Sequence, residues 1–261
     1  MKILFVGDVY AKPGRRAAAL LIPRLMEERG VDFCIVNGEN SAGGFGITEK
    51  IGKKFHAYGA DVITTGNHVW DQKDSVGYIQ SGDRILRPAN YPDDVGGIGA
   101  GVFESRDGIS VGVVSLQGRT NMLDLDCPFR LGEKLVAELR EKTPIIFIDF
   151  HAEATSEKIS MGWFMDGKVS AVLGTHTHVQ TADERVLPQG TAYMTDAGMT
   201  GPHDSVIGAQ KEAAVGRFVN RMPVRFEPAS GDVKLCGALI DVDETTGKAK
   251  HIERLRLDLE E

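Results

Sequence analysis

Little cysteine, no long apolar run and no excess of positive charge are the first features of this sequence. Its 261 residues include three cysteines, Cys34, Cys127 and Cys236, widely spaced and without a C-x-x-C pair. So sparse and odd a set excludes a zinc ribbon and points to a reducing compartment. No stretch approaches the roughly 20 apolar residues that cross a bilayer. The opening run, Ile3 to Val6, is too short for the core of a signal peptide. A cytoplasmic protein with no membrane partner is the expectation. The net charge of −7 argues against a broad nucleic-acid surface. With no internal repeat, low-complexity tract or linker, one domain over residues 1–261 is the simplest organisation.

What the chain does have is a globular balance, 42% hydrophobic and 26% charged residues, and enough length to bury a large α/β core. Its opening repeats one unit: a short apolar run, a polar cluster, then a helical pattern. Ile3 to Val6 ends in Gly7-Asp8, and Pro13-Gly14 opens a helix stopped by Gly30. Phe33 to Val36 ends in Asn37-Gly38-Glu39-Asn40, and Thr48 caps a helix that stops at Gly59. Val62 to Thr65 ends in Gly66-Asn67-His68, with a helix expected from Asp71. Runs of this kind suit strands buried on both faces, with ligands beyond their carboxyl ends. Further on, Asp107-Gly108 turns a hairpin between Gly101–Glu104 and Ile109–Leu116. The strand Ile145 to Ile148 leads to His151, and Val169 to Leu173 leads to Gly174-Thr175-His176-Thr177-His178. A last hairpin pairs Leu235–Val242 with Lys248–Leu257.

The polar groups past these strand ends are Asp8, Glu39, Asn40, Asn67, His68, His151, His176 and His178. Singly, each has a plainer reading. Asp8 suits a turn or cap, His151 a satisfied core histidine, and H-x-H a polar loop. Together they sit on one edge of an open α/β sheet, where their donors can converge. Carboxylates supply the charge that holds a divalent cation, and imidazoles favour iron, manganese, zinc or cobalt over magnesium. So many groups exceed the shell of one metal and suit two, bridged by a carboxylate at roughly 3.5–4 Å.

In this order, Gly7-Asp8, Gly38-Glu39-Asn40, Gly66-Asn67-His68, His151 and Gly174-Thr175-His176-Thr177-His178 resemble the calcineurin-like metallophosphoesterase pattern. Two departures, Tyr10 for the usual D-x-H histidine and Glu39 for the usual aspartate, resemble the YmdB-like branch. Gln117-Gly118-Arg119-Thr120 and Asp204-Ser205-Val206-Ile207-Gly208 resemble it too. The resemblance implies a four-layer α/β/β/α sandwich and hydrolysis of 2′,3′-cyclic nucleotides to nucleoside monophosphates. It also implies two divalent or mixed-valence metal ions, iron above all and manganese as the alternative. One would take Asp8, Glu39, Asn40 and His178, the other Glu39, Asn67, His151 and His176. A metal-bridged hydroxide would attack phosphorus, with His68 protonating the leaving oxygen. Tyr10 reads as a wall residue, Arg119 and His203 as candidate substrate contacts, and Gly43-Gly44-Phe45-Gly46 as cover without the Lys-Ser/Thr end of a P-loop. The partner expected is a small cyclic nucleotide or phosphoester, with a homo-oligomer left open. A phosphomonoesterase or nuclease on the same scaffold, or a regulatory protein of RNA metabolism, are the alternatives.

Overall fold

The short apolar runs are short because each strand is buried on both faces, and alternate residues feed different cores. The computed structural model describes residues 1–260. In chain order the elements are β1 (Lys2–Val6), α1 (Ala11–Arg29), β2 (Phe33–Asn37), α2 (Glu49–Tyr58), β3 (Val62–Thr64), α3 (Val76–Ser81), β4 (Ile85–Leu86), β5 (Ala100–Glu104), β6 (Ser110–Gln117), α4 (Pro128–Arg140), β7 (Ile146–His151), α5 (Thr155–Met165), β8 (Ala171–Thr175), β9 (Arg185–Val186), β10 (Ala192–Met194), β11 (Gly201–Pro202), α6 (Lys211–Asn220), β12 (Val233–Val242) and β13 (Ala249–Asp258).

The strands form two sheets, as the resemblance implied, rather than the single open sheet that alternation of strand and helix alone suggests. The first runs β11-β12-β1-β2-β3-β4, with β13 also on β12; the second runs β5-β6-β7-β8-β10-β9. In β1, Leu4 and Val6 pack outward with Leu21, Ile22 and Leu25 of α1 and Phe55 of α2. Ile3 and Phe5 point the other way, into a core shared with Val111, Val113, Phe147 and Leu173 of the second sheet. That sheet turns Leu116, Ile148 and Phe150 outward onto Val136 and Leu139 of α4 and Met161 and Met165 of α5. The layers are therefore helix, sheet, sheet, helix, the four-layer sandwich expected.

The last hairpin enters the first sheet beside β1: β12 pairs antiparallel with β1, Phe5 opposite Ala238. The strands β1, β2, β3 and β4 run parallel to one another, as do β6, β7, β8 and β10. Their carboxyl ends gather the polar clusters from both sheets, not from one edge. Thr48 caps α2 as expected, accepting from the Ile51 N–H, and Gly30 and Gly59 close their helices with φ of 62° and 116°. The helix expected from Asp71 begins later, as a 3₁₀ turn at Lys73–Ser75 leading into α3. The helix α4 starts at Pro128, where proline's missing N–H costs nothing in a first turn.

Candidate active site

Each polar cluster follows a strand end, so the backbone of the sheet core fixes where its donors stand. Asp8 follows β1, Glu39 and Asn40 follow β2, and Asn67 and His68 follow β3. From the second sheet, His151 closes β7, and His176 and His178 follow β8. Asp8, Glu39, Asn40 and His151 are all buried.

The His151 Nε2 atom is the centre of one half. Around it lie Asn67 Oδ1 at 2.9 Å, Glu39 Oε1 at 3.0 Å and His176 Nδ1 at 3.1 Å. Thr175 Oγ1 donates to Asp149 Oδ1 at 2.7 Å, so it accepts from His151 Nδ1–H at 2.9 Å. The Nε2 position is thereby left to face three acceptors, and one proton can serve only one of them. Glu39 Oε1 has no hydrogen-bond geometry to any donor despite its closeness. Glu39, His151 and His176 bring ligand atoms within 4.8 Å of one another.

The second half is built the same way. His178 Nδ1 donates to the Ile207 carbonyl at 2.9 Å, which leaves the Nε2 lone pair facing Asn40 Oδ1 at 3.2 Å. Asn40 is held in that orientation because its Nδ2 donates to the Gly44 carbonyl at 3.0 Å. Two lone pairs therefore meet with no proton between them. Asp8 Oδ2 accepts from the His176 N–H at 3.0 Å, while its Oδ1 is buried without a partner. An unpaired buried carboxylate oxygen is costly, and a cation is what these donors collectively lack. The residues present therefore fit a bound metal cation, which oxygen and imidazole donors of this kind accept.

Charge within the cluster tells the same story. Burial alone would lower His151, but the Glu39 carboxylate beside it pushes it up to about 9. Burial would raise Glu39, yet the His151 charge brings it down to about 2. Burial, with His151 as a charged neighbour, takes His176 down to about 3. Burial also lowers His178 and raises Asp8 well above the usual carboxylate range. Glu39 and His151 thus form a pair of opposite charge at the centre of the cluster.

Backbone geometry keeps the donors in place. His176 and His178 have φ of 99° and 65°, uncommon for residues with a side chain and held only by surrounding bonds. Between them, Thr177 donates its N–H and hydroxyl to Asp196 Oδ2 at 3.2 and 2.7 Å. Lys158 of α5 braces the same oxygen at 2.6 Å, and both partners of this pair are buried. A Cβ on Gly66 would lie 2.2 Å from His151 Cδ2 and 2.3 Å from Glu39 Oε2, inside the cluster.

A cavity of about 780 Å³ opens over this cluster. His68 lines it, with Nδ1 held by Asp71 Oδ2 at 2.7 Å and its edge toward Phe45. Only its backbone N–H turns to the cluster, donating to Glu39 Oε2 at 3.2 Å. Tyr10 is a wall residue, edge-on to His178 with ring centroids 5.7 Å apart. Gly44 and Phe45 of the glycine-rich loop also line the cavity. The structure does not bring Arg119 or His203 into that wall. The Arg119 guanidinium turns to Cys127 Sγ, and His203 Nε2 faces the Met199 carbonyl at 3.1 Å. Sequence reasoning missed Glu153, whose Oε2 lies 3.1 Å from His176 Nε2, and the Asp149 and Asp196 braces. It also missed the cavity wall supplied by α6. No local motif marks them, since each matters through a partner distant in sequence.

A family model described as a YmdB-like protein matches residues 4–255. The chain is 49% identical over 258 residues to the 2′,3′-cyclic-nucleotide 2′-phosphodiesterase of Bacillus subtilis strain 168, covering 99% of this chain and 97% of that relative. Among solved structures, a Thermus thermophilus protein described as hypothetical superposes with a TM-score of 0.92 at 38% identity, with 99% of each chain covered. A phosphatase from Mycoplasma pneumoniae superposes with a TM-score of 0.92 at 35% identity, covering 99% of this chain and 93% of that one.

Proposed function

The chain belongs to the YmdB-like family, and from that premise we propose that it hydrolyses 2′,3′-cyclic nucleotides to nucleoside monophosphates at a dinuclear metal centre. The observation that carries this reading is the ring of three acceptors within 3.1 Å of His151 Nε2, which one proton cannot satisfy. The whole chain acts as one metallophosphoesterase domain. Asp8, Glu39, Asn40 and His178 would hold one ion, and Glu39, Asn67, His151 and His176 the other, with Glu39 as the bridge. Iron is the preferred metal and manganese the alternative, as the family resemblance implies; the mixed imidazole and oxygen donors are compatible with either. When bound, the two ions would neutralise the phosphoryl oxygens and lower the proton affinity of water.

The chain's own residues do the rest. Asp71 fixes the His68 ring by Nδ1, so Nε2 is the atom presented to the cavity. Placed there, His68 gives its proton to the leaving ring oxygen. One P–O bond to the ribose breaks, one P–O bond from water forms, and the product is a monoester. Tyr10 and Phe45 wall the reacting end from bulk water. A phosphomonoesterase on the same scaffold is the second reading, favoured by the described activity of the Mycoplasma pneumoniae neighbour.

The test is turnover of 2′,3′-cyclic AMP, 3′,5′-cyclic AMP and p-nitrophenyl phosphate by metal-loaded protein, with metal content measured beside it. Preference for the 2′,3′-cyclic ester is expected. The Glu39→Gln variant should lose metal and activity together. His68→Ala should keep metal and lose roughly 10²–10⁴ in rate, the usual worth of a general acid. Preference for p-nitrophenyl phosphate would favour the monoesterase, and a loaded protein inert to all three would overturn the catalytic reading.

A further inference from the structure

The outer wall of the cavity does not serve the metal cluster. It comes from α6 and the segment after it, which contribute Arg217, Phe218, Arg221 and Phe226. Arg217 lies in the last turn of α6 and Arg221 is its left-handed C-cap, with φ of 58°, and both line the cavity. Neither has a carboxylate within 4.0 Å among the described residues, whereas Lys211 on the same helix pairs with Asp204 at 2.6 Å. The Arg217 guanidinium stacks over the Phe226 ring, 5.2 Å from its centroid. Phe218 is 72% exposed, a large apolar surface to leave at a cavity mouth. Phe45, itself packed edge-to-face with His68, lines the same cavity.

Arginines in a last helical turn have a plainer use, since they complement the helix dipole. That use needs no cavity and no aromatic partners. The reacting phosphate would not need them either, because metal ions held by the cluster would supply its positive charge. Unpaired arginines interleaved with aromatic rings suit a second phosphate and the base beside it. The volume, about 780 Å³, lies in the upper half of the roughly 300–1,000 Å³ range of small-molecule sites. The rest of the molecule is acidic, with a net charge of −7, so repulsion limits how much polyanion this face can hold.

Resting on the phosphodiesterase reading, we propose that Arg217, Phe218, Arg221 and Phe226 form a subsite for the nucleotide that precedes the cyclic phosphate. The substrate this favours is a short oligonucleotide, at least a dinucleotide, ending in a 2′,3′-cyclic phosphate, rather than a free cyclic mononucleotide. The arginines take the internucleotide phosphate, and the rings of Phe218 and Phe226 take the upstream base. These are specificity-determining contacts; the bond broken is still a ring P–O bond at the inner cluster.

Two measurements test it. Steady-state kinetics on manganese-loaded protein compare 2′,3′-cyclic AMP with adenylyl-adenosine 2′,3′-cyclic phosphate. Calorimetry compares binding of adenosine 3′-phosphate with adenylyl-adenosine 3′-phosphate and needs no turnover. Wild type should favour the dinucleotide by about tenfold in kcat/KM and in affinity, as one charge-assisted contact allows. The double variant Arg217→Ala/Arg221→Ala should remove that advantage through KM, with a much smaller effect on the mononucleotide. Equal preference in wild type, or equal loss on both substrates in the variant, would overturn the subsite. If neither cyclic ester is turned over, the phosphodiesterase reading fails while calorimetry still decides the subsite. Equal binding of the two monophosphates would then reject it.

Discussion

At position 66 a side chain would have to occupy the space the cluster needs. The Cβ of an alanine there would meet His151 and Glu39 at 2.2–2.3 Å, and neither can retreat because both are packed at strand ends. Gly66→Ala is therefore expected to abolish metal binding, with two ions per chain falling to one or none by elemental analysis. The far-ultraviolet circular dichroism should stay native; unchanged metal content would contradict the placement. The His151 proton sets a pH dependence. In cation-free protein this group titrates at about 9, above its ordinary 6.5, under the pull of Glu39. Its contribution to stability is thus full below about 6.5 and is lost as pH rises through 9. Glu39 runs the opposite way, at about 2 against an ordinary 4.5, so its contribution is lost only as pH falls toward 2. A cation must displace the His151 proton, so metal affinity rises with pH up to about 9. Calorimetry at pH 7 in buffers of different ionisation enthalpy should show at least one proton released per chain. No release would mean that His151 is not the group displaced.

At the scale of elements, the turn after β8 is the least self-sufficient part of the site. Its two histidines hold left-handed backbone, a cost of roughly 1–3 kcal/mol each, and Asp196 with Lys158 of α5 restrains the Thr177 between them. Removing one member of a buried pair leaves the other charge unpaired, at about 3–5 kcal/mol. Lys158→Met should cost that much in urea denaturation and weaken metal binding as well, because His176 and His178 lose their brace. A variant with wild-type stability would show the pair to be incidental. Much at this scale was legible. The caps at Thr48, Gly30 and Gly59 and both hairpins follow from local chemistry alone. The two-residue strands β4, β9 and β11 were not legible, because so short a pairing is dictated by its neighbour and not by its own residues. The place of α6 beside the cavity was not legible either, because it depends on partners distant in sequence.

For the whole molecule, alternation of strand and helix announced buried parallel strands, and the polar residues at strand ends announced a shared site. It could not announce that the strands divide between two facing sheets. That division depends on Ile3 and Phe5 meeting Phe147 and Leu173 across more than a hundred residues of chain. Seven expected donors come together at the rim where both sheets end, while Arg119 and His203 lie apart because their loops pack elsewhere. The sandwich is thus a device for bringing Asp8, Glu39, Asn40 and Asn67 from one sheet against His151, His176 and His178 from the other. The most direct test is electron paramagnetic resonance of cation-free protein titrated with Mn²⁺. Two ions per chain with an exchange-coupled spectrum are expected, as for ions roughly 3.5–4 Å apart across the Glu39 carboxylate. A single ion, or two with independent six-line signals, would contradict a cluster shared by the two sheets.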